Sequence, residues 1–258
     1  DSDDGILWIG THGGGLDRLD RRQNHCTHFR TVPHDPNSLS HDMVRVIIPA
    51  DPGHLWIGTN GGGLNDFDEK SGRSVRYGAD PANPHGLSHN EIRALYRDKA
   101  GFLWVGTHGG GLNRFDGKTG RFRQYRADER DPGSLSNDFI RCIFEDPDEA
   151  GKFLWIGTEG GGLNRLDRDN DTFCRYTYDP GHPRGPGSNS ILSIHEDKKG
   201  ILWLGTFGGG LCRFERRTGT FRSYSTAEGL ASEAVYGILE DEQENLWLST
   251  NNGLSRFD

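Results

Sequence analysis

The chain of 258 residues has one methionine, four cysteines, no long apolar run and no basic stretch. Each shortage removes a class of protein. A helix that spans a bilayer needs about 20 consecutive apolar residues, and nothing approaches that length, so no membrane contact is expected of this segment. Binding a nucleic-acid backbone needs clustered Lys and Arg. Here 30 basic residues are scattered among 38 acidic ones for a formal charge of -8, so nucleic acid is not an expected partner. Cys26, Cys142, Cys174 and Cys212 show no C-x-x-C spacing, which argues against zinc-ribbon and thioredoxin-type motifs. They read as free thiols packed as small hydrophobes. The N-terminal Asp1-Ser2-Asp3-Asp4 is unlike a signal peptide.

What is abundant is periodic. The tryptophans Trp8, Trp56, Trp104, Trp155, Trp203 and Trp247 lie 48, 48, 51, 48 and 44 residues apart, and 38 glycines fall between them in recurring clusters. Fixed-period self-similarity of this length marks a repeat architecture. Six copies of a unit of roughly 48 residues fill residues 1–258, which are read as a single domain.

The clearest copy runs from Leu87 to Asp128 and predicts four short strands, a to d, at Ile92–Arg97, Phe102–Thr107, Gly111–Asp116 and Arg121–Arg126. Glycine-containing turns separate a from b and c from d, and the triple glycine Gly109-Gly110-Gly111 reverses the chain between b and c. Asn251-Asn252-Gly253 replaces it in the last copy, where asparagine is expected to tolerate a left-handed turn.

Strand b carries Leu103, Trp104 and Val105 in succession, so large apolar groups face both sides of the sheet and each sheet needs a neighbour on either face. Radial repetition of four-stranded sheets meets that need. The expected fold is an all-β β-propeller of about six blades of four short antiparallel strands. The first copy begins at strand b and the last stops after strand c, so the first and last blades are expected to be incomplete. A six-blade ring is preferred to an arc of a larger propeller, because an arc would expose two apolar blade faces.

The repeated LWIGTxGGGLxRFD core, preceded by a strand such as IRALYRDKAG, resembles the two-component regulator propeller repeat of bacterial sensor proteins. It differs from the kelch and WD40 patterns. The resemblance implies a periplasmic or extracellular ligand-sensing domain of a hybrid histidine kinase or related regulator, in which propellers collect a signal that is often a polysaccharide fragment. The segment itself has no kinase, response-regulator or membrane portion, so it would be the receptor part alone.

Positions that recur in every copy read as scaffold: the tryptophans, the glycines, and the strand-c arginines Arg18, Arg114, Arg165, Arg213 and Arg256, expected to pair with acids. Positions that vary between copies read as recognition. One such residue follows each strand-b threonine: His12, Asn60, His108, Glu159, Phe207 and Asn251. In a propeller the b–c and d–a loops share one face, and a ring of polar and aromatic groups there suits a sugar or other polar ligand. Solvated turn residues are the plainer reading. Arg45, Arg93 and Arg141 enter strand a at equivalent places, replaced by Leu192 and Tyr236 in later copies. They form a basic side that favours an anionic ligand, or pair with neighbouring acids.

No catalytic residues, metal site or cofactor are expected. His12 and His108 lie two blades apart, too far for shared ligation, and Asp167-Arg168-Asp169-Asn170-Asp171 lacks the glycine and distal glutamate of a calcium loop. The glycines lack the context of a phosphate loop. The leading functional expectation is a non-enzymatic sensor for a polar ligand such as an oligosaccharide. A protein-interaction scaffold is the first alternative, and a polysaccharide lyase or hydrolase the second. Copies this alike also predict strand exchange through the incomplete blades into a homo-oligomer.

Overall fold

The computed structural model describes residues 5–147, 151–181 and 185–258; Asp1-Ser2-Asp3-Asp4 lies outside them. Among these residues the regular elements are short strands in six antiparallel sheets, with a single 3-10 turn at Thr226–Glu228. Two compact units divide the chain, Asp1–Gln124 and Tyr125–Asp258.

The first unit holds three sheets. They are β1 (Ile6–Gly10), β2 (Leu16–Asp20) and β3 (His25–Phe29); β4 (Val44–Pro49), β5 (His54–Thr59), β6 (Leu64–Asp68) and β7 (Arg73–Tyr77); and β8 (Ile92–Arg97), β9 (Leu103–Thr107), β10 (Leu112–Asp116) and β11 (Arg121–Tyr125). The second unit holds β12 (Ile140–Glu145), β13 (Phe153–Thr158), β14 (Leu163–Asp167) and β15 (Thr172–Tyr176). These are followed by β16 (Ile191–Glu196), β17 (Leu202–Thr206), β18 (Leu211–Glu215) and β19 (Thr220–Tyr224), then β20 (Val235–Glu240), β21 (Leu246–Thr250) and β22 (Gly253–Phe257). Within each sheet the strands follow chain order, and the first and last sheets have three strands, as the repeat pattern predicts.

In the copy Leu87–Asp128 strand a lies where predicted, and one end each of b, c and d moves inward by one residue. The Phe102 N–H donates to the Asp98 carboxylate at 2.8 Å and so belongs to the a–b turn. Gly111, at φ 75, belongs to the b–c turn together with Gly109 at φ 105. Thr107 locks that turn, its hydroxyl donating to the Gly111 carbonyl at 2.8 Å and accepting from the Gly110 N–H at 3.1 Å. In the Asn251-Asn252-Gly253 turn of the last copy, Gly253, at φ 90, alone takes the left-handed conformation. The expectation for Asn251 and Asn252 is therefore corrected; Asn252 instead reaches back to donate to the Ala231 carbonyl at 2.8 Å.

Neighbouring sheets within a unit share one packing motif. The strand-b tryptophan and the strand-d aromatic of one sheet meet the strand-c phenylalanine of the next. Trp56 and Tyr77 hold Phe115 with ring centroids at 5.4 and 5.0 Å, and Trp155 and Tyr176 hold Phe214 at 5.4 and 5.5 Å. Such aromatic pairs contribute about 0.5–1.5 kcal/mol each beyond area burial. Strands β9 and β13 are buried along their whole length, the outcome expected of sheets covered on both faces. In the last sheet Leu239, Trp247 and Leu254 remain exposed.

Two scaffold expectations need correction. Among the strand-c arginines, Arg114 stacks instead on Phe102, just before strand b, and Arg165 on Phe153, the first residue of strand b, at 4.8 and 4.3 Å from the ring centroids. Arg213 and Arg256 do reach acids, Glu215 at 3.5 Å and Asp258 at 3.0 Å. Position explains the difference: a cross-strand aromatic is available to the first pair, whereas Ile201 and Asn245 stand there in the last two copies. All four cysteines are free, but only Cys212 is buried and Cys142 half-buried; Cys26 and Cys174 are exposed on strand d.

Candidate ligand-recognition face

Every sheet that begins with a strand a carries the same irregularity. The pairing of strand a with strand b slips between Val44 and Val46, Ile92 and Ala94, Ile140 and Cys142, Ile191 and Ser193, and Val235 and Gly237. The extra residues are Arg45, Arg93, Arg141, Leu192 and Tyr236. A bulge frees one residue from the ladder and re-aims its side chain. The variable positions of strand a are thus the bulged ones.

The b–c turns are anchored beside these bulges by backbone hydrogen bonds. Asn60 N donates to Met43 O at 2.9 Å, His108 N to Glu91 O at 2.9 Å, Glu159 N to Phe139 O at 2.8 Å and Phe207 N to Ser190 O at 2.9 Å. The turn glycines clasp the segment that leads into the next strand a. Gly61 and Gly63 both donate to Asn90 O, at 3.1 and 2.9 Å, and Gly160 and Gly162 both donate to Asn189 O, at 2.9 and 2.7 Å. The recurrent glycines are scaffold in this concrete sense: they hold a variable residue of the turn beside a variable residue of the bulge.

In the first unit, Arg45 Nε donates to Asn60 Oδ1 at 3.4 Å. Arg93 pairs with the Glu91 carboxylate, and His108 Nδ1 lies 3.6 Å from the same Glu91 Oε1. His12 bridges to Met43. In the second unit, Arg141 Nε lies 3.1 Å from Glu159 Oε2, Phe207 is 55% exposed and Tyr236 46% exposed, and Asn251 is exposed. Each unit therefore presents, at the b–c ends of its strands, charged pairs next to amide, imidazole or aromatic groups. These can hydrogen-bond a polar ligand and stack on its flat faces.

Of the two readings of the arginines, the geometry shows the pairing with neighbouring acids at two of the three. Arg93 and Arg141 are paired with acids, Glu91 and Glu159, so the face is mixed in charge instead of simply basic. Glu91 itself escaped the sequence reading. The signal was present: the position two before the bulge is Met43, Glu91, Phe139, Ser190 and Ala234 in successive copies, as variable as the turn positions.

Away from this face, Asp17, Cys26 and His28 each place one donor atom within 4.8 Å of the others. His28 Nδ1 and Asp17 Oδ1 share a hydrogen bond at 2.7 Å. Asp167 and its neighbours form a plain c–d turn, in which the Asp167 carboxylate accepts from Asp169 N at 3.0 Å.

The family model described as "Two component regulator propeller" matches residues 86–109, 185–208 and 229–252. No curated protein matches the sequence. Among solved structures, the extracellular domain of BT3049, described as part of a hybrid two component system of B. thetaiotaomicron, superposes with a TM-score of 0.81 at 23% identity. That match covers 100% of this chain and 33% of the other. The extracellular domain of BT4673, a hybrid two component system of the same organism, gives 0.67 at 22% identity over 100% of this chain and 40% of the other. PorZ, a bacterial surface component of the type-IX secretion system of Porphyromonas gingivalis, gives 0.77 at 16% identity over 100% and 37%. The chain thus spans 33% to 40% of the length of these structures; its fold is a β-propeller, and three stretches of it match the two component regulator propeller model.

Proposed function

We propose that this chain is the non-enzymatic recognition portion of a two-component regulator, displayed in the periplasm or outside the cell, and that its b–c face binds a polar ligand, an oligosaccharide in the first instance. The observation that carries the reading is the conjunction of bulge and turn. Five strand-a bulges re-aim side chains that differ from copy to copy, Arg45, Arg93, Arg141, Leu192 and Tyr236, onto turns whose own variable residues they flank. A scaffold with no recognition role has no use for five identical distortions carrying unlike residues. The family match and the extracellular two component domains of like fold support the sensor role and the location.

The test is a thermal-shift screen of the purified chain against neutral and acidic oligosaccharides, repeated with Arg93→Ala, His108→Ala, Arg141→Ala and Phe207→Ala. The expected result is stabilisation by one sugar class that the variants lose without a change in the unliganded melting temperature. Stabilisation retained in all four variants would remove the b–c face from the proposal. Release of shortened or unsaturated sugar products would replace the sensor with a hydrolase or lyase.

A further inference from the structure

The copies of the repeat are not equivalent at the a–b end of their strands, opposite the recognition face. In the third to sixth copies the strand-b tryptophan donates its indole N–H to an aspartate of the a–b turn. The pairs are Trp104 with Asp98 at 2.8 Å, Trp155 with Asp146 at 2.8 Å, Trp203 with Asp197 at 2.7 Å and Trp247 with Asp241 at 2.9 Å. In the second copy that aspartate is replaced by Ala50. Among the described residues Trp56 Nε1 makes no hydrogen bond.

Two more replacements accompany this one. At the junction of sheets β12–β15 and β16–β19, Arg216 fills the space between turns: its guanidinium donates to Asp146 Oδ1 at 2.7 Å, pairs with Glu196, and donates to Gly200 O at 3.0 Å. Counted along the repeat, the positions of Asp146, Glu196 and Arg216 are held by Ala50, Arg97 and Gly117 at the junction of sheets β4–β7 and β8–β11. Two acids and a base have become a methyl group, a guanidinium and a hydrogen atom.

The consequence is a cavity of about 170 Å³ whose walls include Ala50, Trp56, Arg97, Leu103, Phe115 and Gly117. A Cβ on Gly117 would meet only the Phe115 ring, at 3.9 Å, so the backbone there leaves room. A cavity of about 150 Å³ accommodates benzene, which sets the size of molecule that fits. Both acids at the wall already have side-chain partners. Asp51 Oδ1 lies 2.7 Å from Arg97 Nη2, and Asp66 Oδ1 lies 2.7 Å from His54 Nδ1. The hydrogen bond from Asp66 holds the His54 pKa above its ordinary value, which keeps that neighbour protonated further toward neutral pH.

We infer that this cavity is a site for a small free carboxylate that takes the place of the aspartate side chain the second copy has lost. Trp56 Nε1–H is the donor that four other copies satisfy with a carboxylate oxygen. Arg97, whose Nη1 donates to Ala50 O at 2.8 Å and whose Nη2 pairs with Asp51 at 2.7 Å, brings a guanidinium to the wall where the β12–β19 junction has Glu196. The apolar walls Leu103 and Phe115 receive a short hydrocarbon tail. Preference for an anion over a cation follows from the donors Trp56 Nε1–H and Arg97, which a cation cannot use, while the wall acids Asp51 and Asp66 are held by Arg97 and His54. The site is separate from the b–c face and does not depend on the sensor reading.

The experiment follows the six indole N–H resonances of the ¹⁵N-labelled full chain, with Trp56 assigned by Trp56→Phe, during titration with acetate, butyrate and, as a cationic control, methylammonium. The expected result is a saturable shift of the Trp56 resonance with the carboxylates alone. Ala50→Asp, which installs the pair that four other copies fold with, is expected to abolish the response while leaving the other five resonances in place. Arg97→Gln is expected to weaken binding roughly tenfold, the scale of one lost charge-assisted hydrogen bond. No saturable shift at Trp56 would overturn the proposal, as would a response to methylammonium or an undiminished carboxylate response in Ala50→Asp.

Discussion

Trp104 Nε1 donates to Asp98 Oδ2 at 2.8 Å, and the other oxygen of the same carboxylate accepts from the Phe102 N–H at 2.8 Å. Both side chains are buried, Trp104 at 0% and Asp98 at 4% exposure, so one carboxylate closes the a–b turn and satisfies the indole at once. Asp98→Ala leaves two donors without that acceptor, and a buried donor left unsatisfied costs about 1–3 kcal/mol. The expected outcome is a lower urea midpoint with an unchanged slope. Asp98→Asn, which keeps an acceptor oxygen, is expected to lose less. Equal losses for the two variants would mean that charge, and not the hydrogen bonds, carries the effect.

The strand-b glycine of the LWIGT motif is fixed by the neighbouring sheet. A Cβ on Gly157 would lie 2.4 Å from Cys142 Sγ and 2.9 Å from Ile191 Cγ2, the latter on the first strand of the next sheet. Gly157→Ala therefore overpacks a closed junction, at a cost of about 1–3 kcal/mol. Pairing it with Cys142→Ala removes the closer clash and is expected to recover part of the loss, measured as a non-additive double-mutant cycle. Gly117→Ala, where the only nearby atom is 3.9 Å away, serves as the neutral control.

These junctions show what the sequence made legible. The tryptophan period and the glycine-rich turns predicted the sheets, their strand order and the two three-stranded ends, because turn chemistry and alternating burial are local properties of the chain. The bulges were not legible: Arg45 sits between Val44 and Val46 and Arg93 between Ile92 and Ala94, as in an ordinary strand, and a one-residue slip appears only when strand b is paired against them. The variability that marked His108 also marked Glu91, but the contact between them depends on the turn folding back over the strand. The stacking of Arg114 on Phe102 was missed for a similar reason, since Phe102 lies in the a–b turn and meets Arg114 only once β9 pairs with β10. The cavity beside Trp56 was hidden in the assumption that all copies are alike.

The thiols divide into two reactivity classes. Burial pushes the Cys142 thiol up to about 12 and raises that of Cys212 as well, which suppresses the thiolate that reacts with electrophiles. Cys26 and Cys174 are exposed. A maleimide or aromatic disulfide reagent at mildly alkaline pH is expected to modify two thiols of the native chain promptly and the other two only after denaturant is added. Mass mapping that found Cys142 among the fast pair would contradict the packing of β12 against β13.

Asp241 gives the chain a pH dependence of known sign. Hydrogen bonds from the Asn245 side chain first, then from Trp247 Nε1 and the backbone of Asn245 and Gln243, lower its pKa from 3.8 to about 2. A carboxylate whose folded pKa is depressed binds a proton more readily in the unfolded chain, so its contribution to stability is complete above the unfolded value of 3.8. That contribution fades as pH falls toward about 2. The Asp241 carboxyl carbon is therefore expected to titrate with a midpoint near 2 by NMR. Asn245→Ala, which removes the first of those bonds, is expected to move the midpoint back toward 3.8 and shift the acid transition of the last sheet to higher pH. The same variant leaves the Trp247 bond in place, at 2.9 Å, so a midpoint that does not move would transfer the effect from Asn245 to the indole.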